Sequence, residues 1–472
     1  MTLSDMTYRI CTFGCQMNKH DSERVAGLLE ESGLCALADD AHDADADVVV
    51  YLTCCVREAA DKRLFGQVAS LKSLPDSAGA PKRRLVAVGG CIGQRDGAAL
   101  VESFPHIDVV FGTHNIARLP ELLAGAHSLS TPQVEVLDGQ GTCATDLPSR
   151  REHRWHAWVP IMTGCDNFCS YCVVPYVRGR ERSRTPDDVL REVTALLGDG
   201  VREVTLLGQN VNSYGRDLFG EPRFATLLRQ VAGCGVERIR FATSHPKDIS
   251  DETIAAFAEL PAVMPALHLP VQSGSDAVLR AMRRNYTAEH YLGLVRKVRE
   301  AAARAGKGEV ALSTDVIVGF PGESDADFEA TMDLMRAVGY AQAFTFIYSR
   351  REQTPAARLH DDTPRAVVQE RFDRLVALVQ QSAWGCNQLE CGRVVEVLFE
   401  GASKRDARVL AGKSPKNQTV HAPLPPGAAV ADFTGEVLPV RIDTARTWYL
   451  SGALLNEALA DVSADGNADG SA

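Results

Sequence analysis

The stretch Cys165-Asp-Asn-Phe-Cys169-Ser-Tyr-Cys172 places three thiols in CxxxCxxC spacing within one irregular loop. Three thiolates at this spacing can ligate three irons of a cubic iron–sulfur cluster, and the fourth iron is then open to a substrate or cofactor. Zinc is the alternative metal, but a structural zinc site takes four ligands from paired Cys or His modules. The nearest downstream histidine is His245, and the upstream His153 and His156 precede a predicted strand. The run therefore favours a cluster over zinc and over three buried structural cysteines.

The cysteine run follows a strand predicted at residues 158–162, and strand and helix patterns continue to alternate after it. Five more strands are predicted, at residues 203–207, 238–242, 266–271, 310–318 and 343–347. Helical patterns separate them, for example at 186–197 and 288–305. Six strands joined by helices predict a complete or partial β/α barrel over residues 151–382, and its active residues should line the carboxyl face of the strands.

The first part of the chain, residues 7–125, shows a similar alternation. Strands are predicted at residues 8–13, 48–53, 85–88 and 108–111. Helical patterns at 22–32 and 57–74 lie between them, and a short helix ends before Pro105. This pattern predicts an α/β fold with a doubly wound parallel sheet. The segment 126–150, rich in Ser, Thr, Pro, Gly and charged residues, is interpreted as a linker.

Three cysteines outside the CxxxCxxC run occupy equivalent positions in this first part. Cys15, Cys54 and Cys91 each follow one of the first three predicted strands. In an open parallel sheet the carboxyl ends of the strands share one edge, where ligands bind. These cysteines are therefore expected to converge, whereas unrelated core cysteines would not fall in three equivalent loops. The constellation predicts a second cluster site, again with three protein thiolates.

The chain changes character after residue 383. Short β segments are predicted at residues 394–400, 419–421, 433–442 and 448–451. Together they predict a small β-barrel over residues 384–455. Residues 456–472 are mostly Ala, Asp, Gly and Ser without an aromatic side chain, so we expect a disordered tail.

The composition limits the function classes. The chain has 472 residues, 13 cysteines and a formal charge of −11. An odd number of cysteines in a large chain argues against a disulfide framework. No stretch approaches the ~20 apolar residues of a membrane span, and the N-terminus lacks a basic region followed by an apolar one. We therefore expect a cytoplasmic protein, and the acidic charge argues against a globally basic nucleic-acid binder.

Two local basic clusters are nevertheless present. Arg178, Arg180, Arg182 and Arg184 alternate along the chain, and in an extended loop they would present one cationic edge to phosphate. A solvated, ion-paired loop is the alternative. The second cluster lies in the predicted C-terminal barrel and contains Lys404, Arg405, Arg408, Lys413 and Lys416. Such a surface suits looped or single-stranded RNA, and an ordinary solvated hairpin is the alternative.

Several segments resemble the radical S-adenosylmethionine methylthiotransferases. The run 165–172 is similar to the signature of radical S-adenosylmethionine enzymes. The segments 12–18, 53–57 and 88–94 resemble the N-terminal methylthiotransferase domain of this family. The branch that modifies tRNA isopentenyladenosine is indicated by the segments 206–215, 241–246, 269–275 and 282–286. The resemblance runs from about Tyr8 to Leu454, which is nearly the whole chain.

The resemblance implies two 4Fe–4S clusters and S-adenosylmethionine as cofactors. The implied ligands of the auxiliary cluster are Cys15, Cys54 and Cys91. The implied ligands of the catalytic, radical-generating cluster are Cys165, Cys169 and Cys172. Residues that follow the barrel strands are implied to contact S-adenosylmethionine, and they are Gly208, Gln209, Asn210, Asp315, Gly319 and Glu323.

The implied activity is methylthiolation of carbon 2 of N6-(dimethylallyl)adenosine at position 37, next to the anticodon of tRNA. The C-terminal barrel would be a TRAM domain, which binds RNA. The implied partners are this tRNA, an electron donor of the flavodoxin or ferredoxin type, and a sulfur source, and the protein is expected to be a monomer. Alternative substrates within the family are threonylcarbamoyladenosine in tRNA and a ribosomal-protein aspartate. A non-catalytic iron–sulfur or zinc protein that binds RNA is the alternative from another class.

Three positions depart from the family's pattern. Leu52 stands where the family commonly has Asn, which puts a polar contact near the auxiliary cluster in doubt. Cys55 doubles the thiol beside Cys54, and in extended backbone the two side chains would point to opposite faces, so that only one could reach a cluster. The segment 350–353 differs from the Pro- and Gly-containing loop that is usual there.

Overall fold

The computed structural model describes residues 3–455, except for residue 5 and the segments 39–40, 42–44, 56–57, 72–83 and 138–146. Three predictions fall wholly or partly outside this described part: the tail at 456–472, both ends of the helix at 57–74, and the middle of the linker at 126–150. None of the described helices combines the length and the apolar composition that a bilayer crossing requires.

The N-terminal unit is a parallel six-stranded sheet with helices on both faces, as the sequence predicts. Its elements are β1 (Thr7–Phe13), α1 (Gln16–Glu31), β2 (Cys35–Ala36), β3 (Val48–Thr53), α2 (Glu58–Leu71), β4 (Leu85–Gly90), α3 (Cys91–Asp96), α4 (Ala98–Ser103), β5 (Val109–Phe111), α5 (Leu119–Leu129) and β6 (Gln133–Glu135). The strand order is β2-β1-β3-β4-β5-β6. The order therefore changes direction between β1 and β3, which makes their carboxyl ends the topological switch point of the sheet.

Both faces of this sheet are buried because alternate side chains of its central strands pack against helices on opposite sides. Val50 of β3 shares one core with Val25 of α1. The neighbouring Val49 shares the other core with Leu64 of α2. β3 and β4 are consequently buried along their whole length, and the carboxyl edge is left as the place for a site.

Two features of this unit differ from the sequence prediction. β6 pairs with β5 through Val109 and Gln133, although it lies inside the segment 126–150 that was interpreted as a linker. The described start of that segment therefore belongs to the N-terminal unit, as the end of α5 and the strand β6. Helix α1 begins at Gln16, six residues before the predicted start at Ser22, so its first turn lies directly beside Cys15.

The central unit contains the six predicted barrel strands and a small ribbon. Its elements are β7 (His156–Pro160), β8 (Met162–Thr163), α6 (Val174–Val177), β9 (Arg182–Ser183), α7 (Pro186–Gly198), β10 (Glu203–Leu207), α8 (Arg216–Phe219), α9 (Phe224–Gly233), β11 (Arg238–Phe241), α10 (Asp251–Glu259), β12 (Ala266–His268), α11 (Asp276–Ala281), α12 (Ala288–Arg304), β13 (Ala311–Val318), α13 (Asp325–Val338), β14 (Gln342–Ile347) and α14 (Arg365–Gln388). β8 and β9 pair antiparallel and bracket the loop that carries the CxxxCxxC run.

The six large strands form a partial barrel, which confirms the predicted fold. β7, β10 and β11 form one parallel sheet, and β12, β13 and β14 form another. A parallel bridge between Ile239 of β11 and Val263 joins the first sheet to the segment that precedes β12. A second parallel bridge, between Gln272 and Val316 of β13, extends the pairing of the second sheet beyond β12. One large core contains side chains from the strands and the surrounding helices. The carboxyl ends of all six strands thus face one side, where β/α barrels carry their active residues.

The C-terminal unit is a closed β-barrel, as predicted. Its strands are β15 (Val394–Ser403), β16 (Asp406–Lys413), β17 (Thr419–Pro423), β18 (Val437–Ala445) and β19 (Tyr449–Leu454), in the order β15-β16-β17-β19-β18. The sequence prediction missed β16. Helix α14 extends six residues past the predicted domain end at 382 and reaches the barrel, where the Asn387 amide donates to the carbonyls of Arg446 and Thr447.

The closed barrel docks on the amino ends of the central strands. Arg238 donates to the carbonyl of Lys413, and Arg240 donates to the carbonyls of Ser414 and Pro415. Both guanidinium groups also lie 3.0 Å from the buried carboxylate of Glu203. This docking leaves the carboxyl side of the partial barrel to the N-terminal unit.

Candidate metal and cofactor sites

The structure brings Cys15, Cys54 and Cys91 together. Cys15 is the extended residue that caps α1 directly after β1, Cys54 follows β3, and Cys91 begins α3 directly after β4. These three strands are neighbours in the sheet, and their ends include the topological switch point. The Cys54 thiol makes hydrogen bonds to both other sulfurs. The convergence inferred from the strand pattern is thus what the fold produces.

Cys55 also reaches this group, contrary to the expectation that it would point to the opposite face. Its side chain is buried and makes a hydrogen bond to the Cys91 sulfur. The expectation was wrong because β3 ends at Thr53 and the chain bends at Cys55, so that the alternation of an extended strand no longer applies. Four thiols, rather than three, therefore meet at this edge.

The surroundings favour the thiolate form at Cys91 and Cys15 and the neutral thiol at Cys54 and Cys55. Hydrogen bonds donated by Cys54 and Cys55, together with the guanidinium of Arg178, hold the pKa of Cys91 well below its usual value. The pKa of Cys15 is lowered to about 7, chiefly by the hydrogen bond from Cys54. The hydrogen bonds that link Cys54 to Cys15 and Cys91, together with burial, raise the pKa of Cys54 itself. A thiolate is the form of cysteine that ligates metals.

Asn18 and two glycines shape the space beside these thiols. Cys15 donates to Asn18 Oδ1 at 3.2 Å, whereas the buried Nδ2 of Asn18 has no partner among the described residues. A Cβ on Gly14 would lie 2.5 Å from the Cβ of Cys54, and one on Gly90 would lie 3.0 Å from the carbonyl of Thr53. An unpaired buried donor beside thiols suits a cluster, whose sulfurs accept hydrogen bonds.

Within the described part of the chain, no three His, Cys, Asp or Glu side chains converge on a point where one metal ion could sit. A cubic cluster does not require such convergence, because each of its protein ligands binds a different iron. The donor set and the space at the auxiliary edge therefore fit a cluster.

The CxxxCxxC loop is held rigidly by its backbone. The Cys165 amide donates to the carbonyl of Gly179, and the Cys172 amide donates to that of Cys169. Ser170 donates from its amide to Met282 and from its hydroxyl to Ala281. These bonds tie the backbone of the cysteine loop to the segments at residues 179 and 281–282.

Polar groups surround the cysteines of this loop. The buried Arg284 donates from Nη1 to Cys169 Sγ at 3.7 Å and is anchored on the carbonyl of Pro270 at 2.7 Å. Asn167 donates to Cys165 Sγ at 3.6 Å. Burial raises the pKa of Cys165 to about 11 and also raises that of Cys172. Metal binding must therefore displace protons from these thiols, which makes loading of this loop more favourable at higher pH.

A group of unpaired polar atoms lies after β10 and β11, beside the cysteine loop. These atoms are buried and have no partner among the described residues: Gln209 Oε1, Asn210 Oδ1, Asn212 Nδ2 and Oδ1, Ser244 Oγ and His245 Nε2. Native proteins rarely leave so many buried polar atoms unpaired in one place, so the group indicates a polar ligand. Gly208, which precedes it, packs against Met162, since a Cβ there would lie 2.7 Å from Met162 Cγ.

Gln209 and Asn210 of this group were predicted from the sequence, whereas Asn212, Ser244 and His245 were not. Asn212 and the pair Ser244-His245 stand in the segments 206–215 and 241–246, which carried the family resemblance. The available signal was therefore their position directly after two barrel strands. That signal does not reveal which side chains lack a partner.

The remaining predicted cofactor residues have different surroundings. Asp315 lies in β13, partly exposed, with Oδ2 at 3.5 Å from His268 Nε2. The Glu323 carboxylate accepts from the Gly319 amide at 2.8 Å and pairs with the buried Arg371 of α14 at 3.1 Å. In this structure Glu323 helps to fix the loop after β13 through these two contacts, and its predicted contact with S-adenosylmethionine stays a prediction.

The alternating arginines do not form the predicted cationic edge. Arg178 is buried and lies 2.8 Å from Asp21 of α1. Arg184 is also buried and donates to the carbonyl of Pro160 and to Glu192. Arg180 is exposed but pairs with Asp166 at 2.6 Å. The expectation was wrong because Arg178 and Arg184 are drawn inward by buried acceptors, which a local pattern cannot reveal.

The two cysteine groups are neighbours. Met17, in the first turn of α1, packs against Leu207 at the end of β10 and Ala242 after β11. Arg178, which follows the CxxxCxxC loop, reaches the thiols of the N-terminal unit. The N-terminal unit therefore covers the carboxyl side of the partial barrel and brings the second thiol group to the first.

Comparisons with known proteins agree with this architecture. The Radical SAM superfamily matches residues 159–335, and the uncharacterized protein family UPF0004 matches residues 7–112. A solved radical S-adenosylmethionine methyltransferase, TsrM from Kitasatospora setae, has a TM-score of 0.51 at 15% identity, over 75% of this chain and 74% of that chain. At this identity the likeness concerns the fold.

Curated relatives are much closer in sequence. A tRNA-2-methylthio-N(6)-dimethylallyladenosine synthase of Acidothermus cellulolyticus is 52% identical over 88% of this chain and 82% of its own length. A synthase of the same name from Streptomyces coelicolor is 47% identical over 95% of this chain and 88% of its own length. The chain belongs to the family of these tRNA methylthio synthases, within the radical S-adenosylmethionine superfamily.

Proposed function

We propose that this protein is a tRNA methylthiotransferase that places a methylthio group on carbon 2 of N6-(dimethylallyl)adenosine at position 37. The observation that carries the proposal is the meeting of two cysteine groups beside a set of unpaired buried polar atoms. Curated relatives at about half identity carry the name of this activity, which supports it.

The chemistry explains why a side-chain base is insufficient. The hydrogen on carbon 2 of adenine has no useful acidity, so His or Glu cannot remove it by general-base catalysis. S-adenosylmethionine, bound to a reduced cluster, supplies the one-electron chemistry that such a C–H bond requires. The protein's task is to hold the reacting groups in register and to exclude water.

The residues divide this task between two sites. Cys165, Cys169 and Cys172 would ligate the radical-generating cluster. Cys15, Cys54 and Cys91 would ligate the auxiliary cluster that carries the sulfur to be inserted. Arg178 places a buried positive charge beside the auxiliary thiols, and Arg284 donates to the Cys169 sulfur.

The unpaired atoms after β10 and β11 would orient S-adenosylmethionine. Gln209 and Asn210 take this role, together with Asn212. Gly208 and Gly319 allow close packing at the strand ends, and Asp315 lies in β13 on the partly exposed side of that strand.

The other units follow from this assignment. Residues 7–125 would form the methylthiotransferase domain, 151–382 the radical domain and 384–455 the TRAM domain. Three basic side chains are exposed at the β15–β16 hairpin of that barrel and would contact the tRNA: Lys404, Arg405 and Arg408. The enzyme would act as a cytoplasmic monomer, with a flavodoxin- or ferredoxin-type donor and a separate sulfur source.

Anaerobic reconstitution tests the proposal. The wild-type enzyme should hold about eight irons per chain, cleave S-adenosylmethionine to 5′-deoxyadenosine and produce the methylthio nucleoside, which nucleoside mass spectrometry identifies. Cys169→Ala should lose both cofactor cleavage and product. Cys54→Ala should lose product but keep some cleavage. A loaded protein with only zinc, or without 5′-deoxyadenosine formation, would contradict the proposal, and a product on threonylcarbamoyladenosine or on a protein would redirect it.

A further inference from the structure

His245 occupies a segment that joins the unpaired polar atoms to the cysteine loop. The segment 243–248 follows β11 and begins with Thr243 at φ +64°, a conformation that is unfavourable for a β-branched residue. At one end Asn210 donates to Asp248 Oδ2 at 2.8 Å. At the other end Lys247 donates to Asn167 Oδ1 of the cysteine loop at 2.7 Å. The segment that carries His245 is therefore anchored both beside the unpaired polar atoms and on the cysteine loop.

The tautomer of His245 follows from its backbone neighbour. The amide N–H of Lys247 donates to Nδ1 at 3.2 Å, so Nδ1 must be the unprotonated nitrogen. The ring proton therefore resides on Nε2, which becomes a hydrogen-bond donor. Nε2 is buried, and it has no partner among the described residues. The ring also meets Tyr286 edge to face, with 5.8 Å between centroids, which limits its rotation.

A buried donor without a partner is costly in a native protein unless a ligand completes it. The surrounding groups indicate which ligand this is. Unpaired amide oxygens of Gln209, Asn210 and Asn212 can accept from the N–H groups of an amine. The Nε2–H of His245 and the hydroxyl of Ser244 can donate to a carboxylate. An amino acid headgroup presents these two groups on one carbon, and S-adenosylmethionine carries such a headgroup.

We infer that His245 binds S-adenosylmethionine, and that its Nε2–H donates a hydrogen bond to the carboxylate of the methionine moiety. The inference rests on the proposed function, because it assumes that S-adenosylmethionine occupies this site. Nε2 is the donor, Nδ1 is fixed by the Lys247 amide, and the ring acts as a neutral group.

Two amide substitutions separate this role from a structural one. In His245→Gln the amide nitrogen reaches about as far as Nε2, whereas in His245→Asn it reaches only about as far as Nδ1. His245→Ala removes both. The exposed His290 of α12 supplies a matched control, His290→Ala. Each variant is purified anaerobically as the cluster-loaded full chain, and its melting temperature and iron content are compared with those of the wild type.

The main measurement is the Kd for S-adenosylmethionine by equilibrium dialysis. A hydrogen bond to a charged group predicts that His245→Ala and His245→Asn raise Kd about ten- to a hundredfold. His245→Gln should restore most of the affinity, and His290→Ala should leave it unchanged. The same order should appear in KM for S-adenosylmethionine, while kcat at saturating concentration changes much less. The electron paramagnetic resonance change that S-adenosylmethionine causes in the reduced cluster is a second readout.

Two results would overturn the inference. Wild-type affinity in His245→Ala would show that Nε2 makes no contact with the ligand. Equal losses in all three variants, accompanied by lower melting temperatures, would assign His245 a packing role only. A wild-type enzyme that neither binds nor cleaves S-adenosylmethionine would instead defeat the proposed function, so the two failures are distinguishable.

Discussion

Replacing Arg178 with Met should destabilise the contact between the two cysteine groups. Nη2 of Arg178 lies 2.8 Å from Asp21 Oδ2, and the two side chains are only 6% and 8% exposed. Removing one partner of a buried ion pair typically costs about 3–5 kcal/mol, because the other charge stays buried without compensation. Met keeps most of the volume, so the loss reports on charge and hydrogen bonding. The positive charge beside Cys91 and Cys15 is lost as well.

A neighbouring arginine provides the control. Arg180 pairs with Asp166 at 2.6 Å, but its side chain is 73% exposed. Water and salt screen such a pair, so Arg180→Met should leave the stability close to that of the wild type. Arg178 and Arg180 are the same residue type and lie two residues apart, so the difference between the two variants reports on the burial of the ion pair.

Thermal unfolding of the anaerobic protein measures the difference. We expect Arg178→Met to lower Tm by roughly 6 °C or more and to reduce the iron retained at the auxiliary site. Adding Asp21→Asn should recover part of the lost stability, because no carboxylate charge is then left unpaired. The reasoning is refuted if Arg178→Met melts like Arg180→Met, or if the double variant is no more stable than Arg178→Met.

Two further predictions concern the thiols and the histidine. Cys54→Ala should retain part of the auxiliary iron, because the Cys55 thiol lies beside Cys91. The variant that lacks both Cys54 and Cys55 should instead fall from about eight to about four irons per chain. Equal iron contents in the two variants would contradict this prediction. The effect of His245→Ala on Kd should be independent of pH between 6 and 9, because burial and the positive charges of Arg284 and Lys247 lower the pKa of His245 to about 2 and keep it neutral. If imidazolium were the donor, the ratio of the His245→Ala Kd to the wild-type Kd would instead fall by up to about tenfold per pH unit above 6.5, which dialysis of both proteins across this range would reveal.

The central strands were predictable because burial dictates their composition. β3 and β10 begin and end at the predicted residues, since β3 is a largely apolar run and β10 consists mostly of apolar and β-branched residues, and both are buried along their whole length. β2, β6 and β16 were missed for a different reason. β2 and β6 are short edge strands, and β16 is half exposed and owes its pairing to closure of the barrel. Such strands form because they pair with segments that are distant in sequence, and a local sequence pattern does not reveal those contacts.

The candidate site was predictable only as far as topology dictates it. Parallel strands fix where the residues after them must meet, so Cys15, Cys54 and Cys91 could be placed together without coordinates. The reach of Cys55 depends on a bend after β3, and the burial of Arg178 depends on acceptors in a different unit. Neither leaves a local signal in the sequence.

The structure also supports the proposal that the two sites serve one reaction. The loop that carries the CxxxCxxC run continues through α6 to Arg178, whose guanidinium interacts with the sulfurs of Cys91 and Cys15. In the opposite direction, the first turn of α1 follows Cys15 and packs Met17 onto the strand ends beside the unpaired polar atoms. Each site is thus held in part by a segment of the other. The proposed reaction, which would activate a carbon at one site and deliver sulfur from the other, needs both groups close to the same atom, and these reciprocal contacts hold the two sites beside each other.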